Sequence, residues 1–127
     1  MEKEVKVLLI DDEPDFTKPM AFWFGSKGYY VIVASDGEKG IEMVKEKKPD
    51  VVFLDLNMPG MDGVETLTKI REFDKELPVI IISAYVDEEK MKKLEPLGIS
   101  GVFYKTQDLE TGLGLLEATL RRHKRLR

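Results

Sequence analysis

The stretch Val51-Val52-Phe53-Leu54-Asp55, which breaks into Asn57-Met58-Pro59-Gly60-Met61-Asp62-Gly63, decides how this chain is read. A run of apolar, β-prone residues without polar alternation describes a strand buried on both faces, and the proline and glycines behind it describe a turn. The strand therefore ends on one carboxylate, Asp55. In open α/β sheets the carboxyl ends of the strands are where ligands bind.

The same plan recurs on either side. Val5 to Ile10 is an apolar run that ends on Asp11, Asp12 and Glu13, Tyr29 to Ala34 is a short strand, Val79 to Ile82 ends on Ser83-Ala84, and Gly101 to Tyr104 ends on Lys105. Helical spacing fills the intervals. Phe16, Met20, Trp23 and Phe24 follow Pro14 and stop at Gly25 and Gly28, Asp36-Gly37 opens a helix carrying Ile41 and Val44, and Val64, Leu67 and Ile70 mark a third. Asp87 caps a charged fourth helix with Met91 and Leu94 inward, halted by Pro96 and Gly98. Asp108 caps the last, which carries Leu109, Leu113, Leu116 and Leu120 and is weakened by Gly112 and Gly114 at about 1 kcal/mol each. Pro19 does not suit the first helix, where it costs about 3 kcal/mol, so a kink or a late start is expected. Of Phe22, Trp23 and Phe24, two are expected to pack in the core and the third to face a kinase or partner helix.

Strand and helix alternate five times without repeats or low-complexity linkers. This pattern predicts a single doubly wound (βα)5 domain of the α/β class, with a five-stranded parallel sheet in the order 2-1-3-4-5 and helices on both faces. A length of 127 residues suits one domain, assigned to residues 1–122, with residues 123–127 a basic tail or the start of a linker. The cations from Arg121 to Arg127 suit a helix end, and His123 among them reads as a solvated residue.

Composition narrows the function. The chain has 24 acidic and 20 basic residues and a formal net charge of -4, which excludes the broad basic surface that binds a phosphate backbone, so no direct nucleic-acid partner is expected. Zero cysteines exclude disulfides and thiolate metal sites. No apolar stretch is long enough to span a membrane and no signal-peptide pattern is present, so a soluble cytoplasmic protein is expected.

The strand ends collect Asp11, Asp12, Asp55, Ser83 and Lys105 on strands that the expected order makes neighbours. Converging carboxylates repel one another unless some are protonated or a cation sits among them. Oxygen ligands alone call for a hard cation, Mg²⁺ best, or Mn²⁺ in its place. A metal beside a carboxylate, a lysine and a hydroxyl handles phosphoryl groups: Lys105 and the cation spread the charge while Asp55 attacks in line, giving an aspartyl phosphate.

In combination these motifs resemble the receiver domains of two-component response regulators, over essentially the whole chain: Asp11-Asp12, Asp55 with Met58 to Gly63 behind it, Ser83-Ala84 and Lys105. The resemblance implies a phosphorylation-dependent switch rather than an enzyme. It implies that Asp55 is the phosphoacceptor, that Asp12 and the backbone carbonyl of Asn57 join it on Mg²⁺, that Asp11 acts through a metal-bound water, and that Lys105 and Ser83 hold the phosphoryl oxygens. The implied donor is a sensor histidine kinase or phosphotransfer protein. The implied output is a downstream effector on the face of the fourth helix, fifth strand and fifth helix, and family analogy adds a homodimer through the face of the last helix.

Two positions depart from the family pattern. Val102 stands where the switch aromatic usually lies, leaving Tyr104, on the same strand face, and Tyr85, close after Ser83, as substitutes, so activation is expected to reshape the loop after Ser83 without the usual ring movement. Thr106 stands where a cis proline is usual; a cis bond before a non-proline residue costs about 3 kcal/mol, so a trans bond is expected. These departures keep a degenerate, receiver-like binding module as an alternative. An aspartyl-phosphate phosphohydrolase is the other, although it would place an acid where Asn57 stands.

Overall fold

The computed structural model describes residues 4–85 and 87–123. Strands β1 (Lys6–Ile10), β2 (Tyr30–Ala34), β3 (Val51–Asp55), β4 (Val79–Ser83) and β5 (Gly101–Tyr104) alternate with helices α1 (Pro14–Ser26), α2 (Gly37–Lys47), α3 (Gly63–Phe73), α4 (Glu88–Leu94) and α5 (Leu109–Arg122). A turn of 3₁₀ helix, Glu95–Leu97, extends α4 towards Gly98. The sheet is parallel throughout and its order is β2-β1-β3-β4-β5, as the strand and helix alternation predicts.

Strand side chains alternate between two cores. Leu8, Ile10, Val52, Leu54, Val79 and Ile81 pack with Val44, Leu67, Ile70 and Leu94 from α2, α3 and α4. Val7, Leu9, Val51, Phe53, Ile80, Ile82 and Phe103 pack with Met20 and Phe24 from α1 and Leu116 and Leu120 from α5. Every residue of β3 and β4 is buried, which is why those strands read as unbroken apolar runs. Within the second core Phe24 meets Phe53 with ring centroids 5.4 Å apart, and Phe53 meets Phe103 edge-on at 6.5 Å.

Helix starts follow their caps. Asp36, Asp62, Asp87 and Asp108 each accept a hydrogen bond from the backbone N–H three residues on. The late start considered for α1 is corrected: the helix begins at Pro14 and runs through Pro19 and Gly25. Pro19 is tolerated because the one hydrogen bond it removes would end on the carbonyl of Asp15, and both residues lie at the exposed surface, where an unpaired carbonyl is not cut off from solvent. Gly112 is buried rather than merely helix-weakening, since a Cβ there would stand 3.1 Å from the Phe103 ring. Of the three adjacent aromatics on α1, Phe24 is buried, Trp23 is half-buried under Lys27, and Phe22 is 80% exposed. No cis peptide bond occurs among the described residues, so Lys105-Thr106 is trans. Residues 124–127 of the basic tail lie outside the described residues.

Candidate functional site

Parallel register brings the strand ends to one edge: Asp55 pairs with Ile82, Ser83 with Tyr104, and Asp11 follows directly on β1. Asp11, Asp12 and Asp55 each offer a carboxylate oxygen within 4.8 Å of the others. Asp11 and Asp55 are almost fully buried, 2% and 3% exposed.

Local hydrogen bonds fix two of these carboxylates. Asp11 Oδ1 accepts from the N–H of Glu13 at 2.9 Å, and Asp55 Oδ1 accepts from the N–H of Asn57 at 3.1 Å. The Oδ2 atoms turn towards Lys105, whose Nζ lies 3.0 Å from Asp11 and 3.5 Å from Asp55. Lys105 also pairs with the Glu13 carboxylate and stands 4.9 Å over the Phe16 ring. One ammonium thus serves three acids.

That charge does not balance the site. Burial, and next the charge of Asp11, raise the Asp55 carboxyl from 3.8 to about 6 against the Asn57 hydrogen bond and Lys105. Burial also raises Asp11, opposed by the hydrogen bond from Glu13 and by Lys105. For Lys105, burial acts downward but the acids around it win, and its ammonium is held above its ordinary range.

The donor set fits a hard divalent cation. Asp11 Oδ2 is buried and faces the Lys105 ammonium at 3.0 Å, so a cation held there would share this oxygen with the lysine. All three ligand groups are carboxylates, the type Mg²⁺ selects.

Ser83 reaches the expected edge but its hydroxyl is engaged elsewhere. It is buried, donates to the carbonyl of Tyr85 and accepts from the Tyr85 N–H at 3.3 Å. Tyr85 is 60% exposed, Tyr104 is half-buried, and Val102 packs against the core shared by α2, α3 and α4. In the sequence Glu13 stands out only as a third acid, and no motif marks Lys90, whose Nζ donates to Asn57 Oδ1 at 2.7 Å and lies 3.7 Å from Asp62 Oδ2. Position in the first turn of the helix behind Ser83 is the only sign of Lys90 in the sequence.

A doubly wound sheet that gathers an acidic triad and a lysine at its carboxyl edge defines the receiver class of signalling domains. The family described as the response regulator receiver domain matches residues 7–117, and the chain belongs to it: it is a receiver of two-component signalling, a phosphorylation-dependent switch. It is 31% identical over 105 residues to sporulation initiation phosphotransferase F of Bacillus subtilis, covering 83% of this chain and 85% of that one. It is 39% identical over 119 residues to the chemotaxis protein CheY of Treponema pallidum, covering 91% and 83%. Among solved structures, chemotaxis protein CheY4 of Vibrio cholerae superimposes with a TM-score of 0.85 at 27% identity, covering 93% of this chain and all of that one (100%). A chain of the CheX-CheY-BeF3-Mg²⁺ complex from Borrelia burgdorferi does so with a TM-score of 0.84 at 34% identity, covering 91% and 89%. No described helix is long and apolar enough to cross a membrane.

Proposed function

We propose that Asp55 accepts a phosphoryl group from a phosphohistidine on a sensor kinase or phosphotransfer protein. The observation that carries this reading is the convergence of Asp11, Asp12 and Asp55 within 4.8 Å beside Lys105. An Asp55 oxygen forms the new O–P bond as the donor's N–P bond breaks, the imidazole nitrogen leaving with the electron pair. Lys105 draws Asp55 towards its ionised, nucleophilic form and holds a cation beside the arriving oxygens. Asp11, Asp12, Asp55 and the Asn57 backbone carbonyl would hold Mg²⁺, with Mn²⁺ as a substitute. Bound there, the cation supplies charge neutralisation to acids that one lysine leaves unbalanced.

Ser83 contributes after transfer. Its hydroxyl must leave the Tyr85 carbonyl to donate to a phosphoryl oxygen, so reading the phosphorylated state means reshaping the loop behind β4. With Val102 packed in the core, no aromatic ring at that position accompanies the movement. The outputs are an effector or a second copy of the chain on the α4, β5 and α5 face. Incubation with Mg²⁺ and a small phosphodonor such as acetyl phosphate tests the reading. Stoichiometric label that is slowly hydrolysed and absent from Asp55→Asn supports it; label that persists in that variant, or rapid multiple turnover, overturns it.

A further inference from the structure

Lys90 joins the acidic site to α4 by a contact that the phosphotransfer chemistry does not use. Its ammonium sits between Asn57 Oδ1, at 2.7 Å, and Asp62 Oδ2, at 3.7 Å, the two ends of the loop that leaves β3. That loop turns through Gly60 at φ +75°, and Asp62 closes it by capping α3. Lysine only donates, so the Asn57 carboxamide must present its oxygen to Lys90. The amide nitrogen is then left buried with no hydrogen bond among the described residues, and Lys90 is the one hydrogen-bonding partner that holds this side chain. The backbone of the same residue is anchored to Asp55 through its N–H. A displacement of Asn57 therefore acts on Asp55 from one side and on α4 from the other.

We propose that Lys90 is a positioning residue that holds the Asn57 to Asp62 loop in its binding geometry and couples occupation of the acidic site to α4. The inference rests on the reading of Asp55 and Asn57 above and adds the route by which the site is felt at α4. With Lys90 in place the loop is ordered before a cation arrives. Without it, that ordering falls on the binding step and affinity drops. By linkage, whatever Lys90 contributes to cation binding, the cation contributes to the position of Lys90 and its helix.

The test is a titration of the full chain with Mg²⁺ alone, followed by amide NMR at Asp55 to Asn57 and at Lys90 to Leu94. In the wild type both groups of amides are expected to shift with one midpoint. In Lys90→Met, which keeps the aliphatic stem, the α4 shifts are expected to vanish and the midpoint at Asp55 to rise several-fold. Lys90→Arg is expected to restore the α4 response. Asp62→Asn keeps the helix cap but removes the charge, and is expected to weaken the response partially, which separates the contact from simple unfolding of α4. An α4 response in Lys90→Met equal to that of the wild type overturns the proposal, as does a wild type whose α4 amides stay still while Asp55 responds. Acetyl phosphate labelling of the same wild-type sample tells a failed coupling, in which Asp55 is labelled, from failure of the phosphoacceptor reading, in which it is not.

Discussion

Lys105 Nζ stands 3.5 Å from Asp55 Oδ2, although β4 separates their two strands in the sheet. The same ammonium also faces Asp11 and Glu13, so Asp55 receives a share of one positive charge. Burial and the charge of Asp11 outweigh that share, and the Asp55 carboxyl is pushed up to about 6.

The sign of this shift sets a pH dependence for the metal-free protein. An acid whose folded value is raised binds more protons folded than unfolded, so stability falls as pH climbs from 3.8 through about 6. The full loss, reached above that window, is about 3 kcal/mol for this group. Asp55→Asn removes the charge and keeps an oxygen for the Asn57 N–H. The variant is expected to be more stable than the wild type by about 2–3 kcal/mol near neutral pH, with the difference closing towards pH 4. Urea denaturation in the presence of a chelator at both ends of the window measures it; equal stabilities at neutral pH would refute the charge imbalance.

A metal held by Asp11 and Asp55 would use the oxygens that the Lys105 ammonium faces. Lys105→Met adds one net negative charge beside Asp11 and Asp55, at separations of 3.0 and 3.5 Å in the wild type. Even at an effective dielectric of about 20, a unit charge at such distances is worth several kcal/mol, so Mg²⁺ is expected to bind at least several-fold more tightly. On the proposed role of Lys105, phosphoryl acceptance is expected to slow in the same variant, because the ammonium beside Asp55 is gone. Calorimetric titration and phosphodonor labelling separate the two effects. Weaker Mg²⁺ binding in Lys105→Met would show that the lysine organises the carboxylates rather than competing for them.

The parts of this site that the sequence discloses are those that backbone topology sets. Asp55 and Ser83 end β3 and β4, Asp11 and Lys105 directly follow β1 and β5, and parallel register carries them to one edge whatever their rotamers. Pairings made by long, rotatable side chains leave no such trace. Glu13 reaches Lys105 from a different element, and Lys90 reaches Asn57 from the first turn of α4, with no periodicity to announce either. The Ser83 hydroxyl is a rotor, and its choice of the Tyr85 carbonyl is a property of the loop rather than of the residue type. The start of α1 escapes for another reason: the proline penalty is real, but at the solvent face it amounts to one lost hydrogen bond.

Gly63 is a structural requirement of the site. A Cβ there would lie 2.6 Å from the carbonyl oxygen of Asp55 and 2.8 Å from Leu56 Cα, both backbone atoms that cannot rotate aside. The Gly63 N–H also donates to the Leu56 carbonyl at 3.1 Å, tying the start of α3 to the end of β3. Gly63→Ala is therefore expected to cost about 1–3 kcal/mol, the usual range for overpacking, and to slow labelling of Asp55 beyond that loss of folded protein. Thermal unfolding and labelling at a temperature where the variant is fully folded check both. Normal labelling with normal stability would mean that the β3 end yields freely.

Phe22 and Phe24 test how α1 divides its aromatics. Phe24 is fully buried against Phe53 with ring centroids 5.4 Å apart, and Phe22, two residues earlier, is 80% exposed. Truncating the buried ring removes its burial and leaves a cavity beside Phe53 and Tyr29, so Phe24→Ala is expected to destabilise by about 3–5 kcal/mol. Phe22→Ala leaves no cavity and is expected to change stability by no more than about 0.5 kcal/mol. If Phe22 serves a partner, its removal should slow transfer from a phosphohistidine donor protein while leaving acetyl phosphate labelling unchanged, because the small donor needs no docking surface at Phe22. Equal slowing with both donors would place the effect of Phe22 inside the domain instead of at a docking surface.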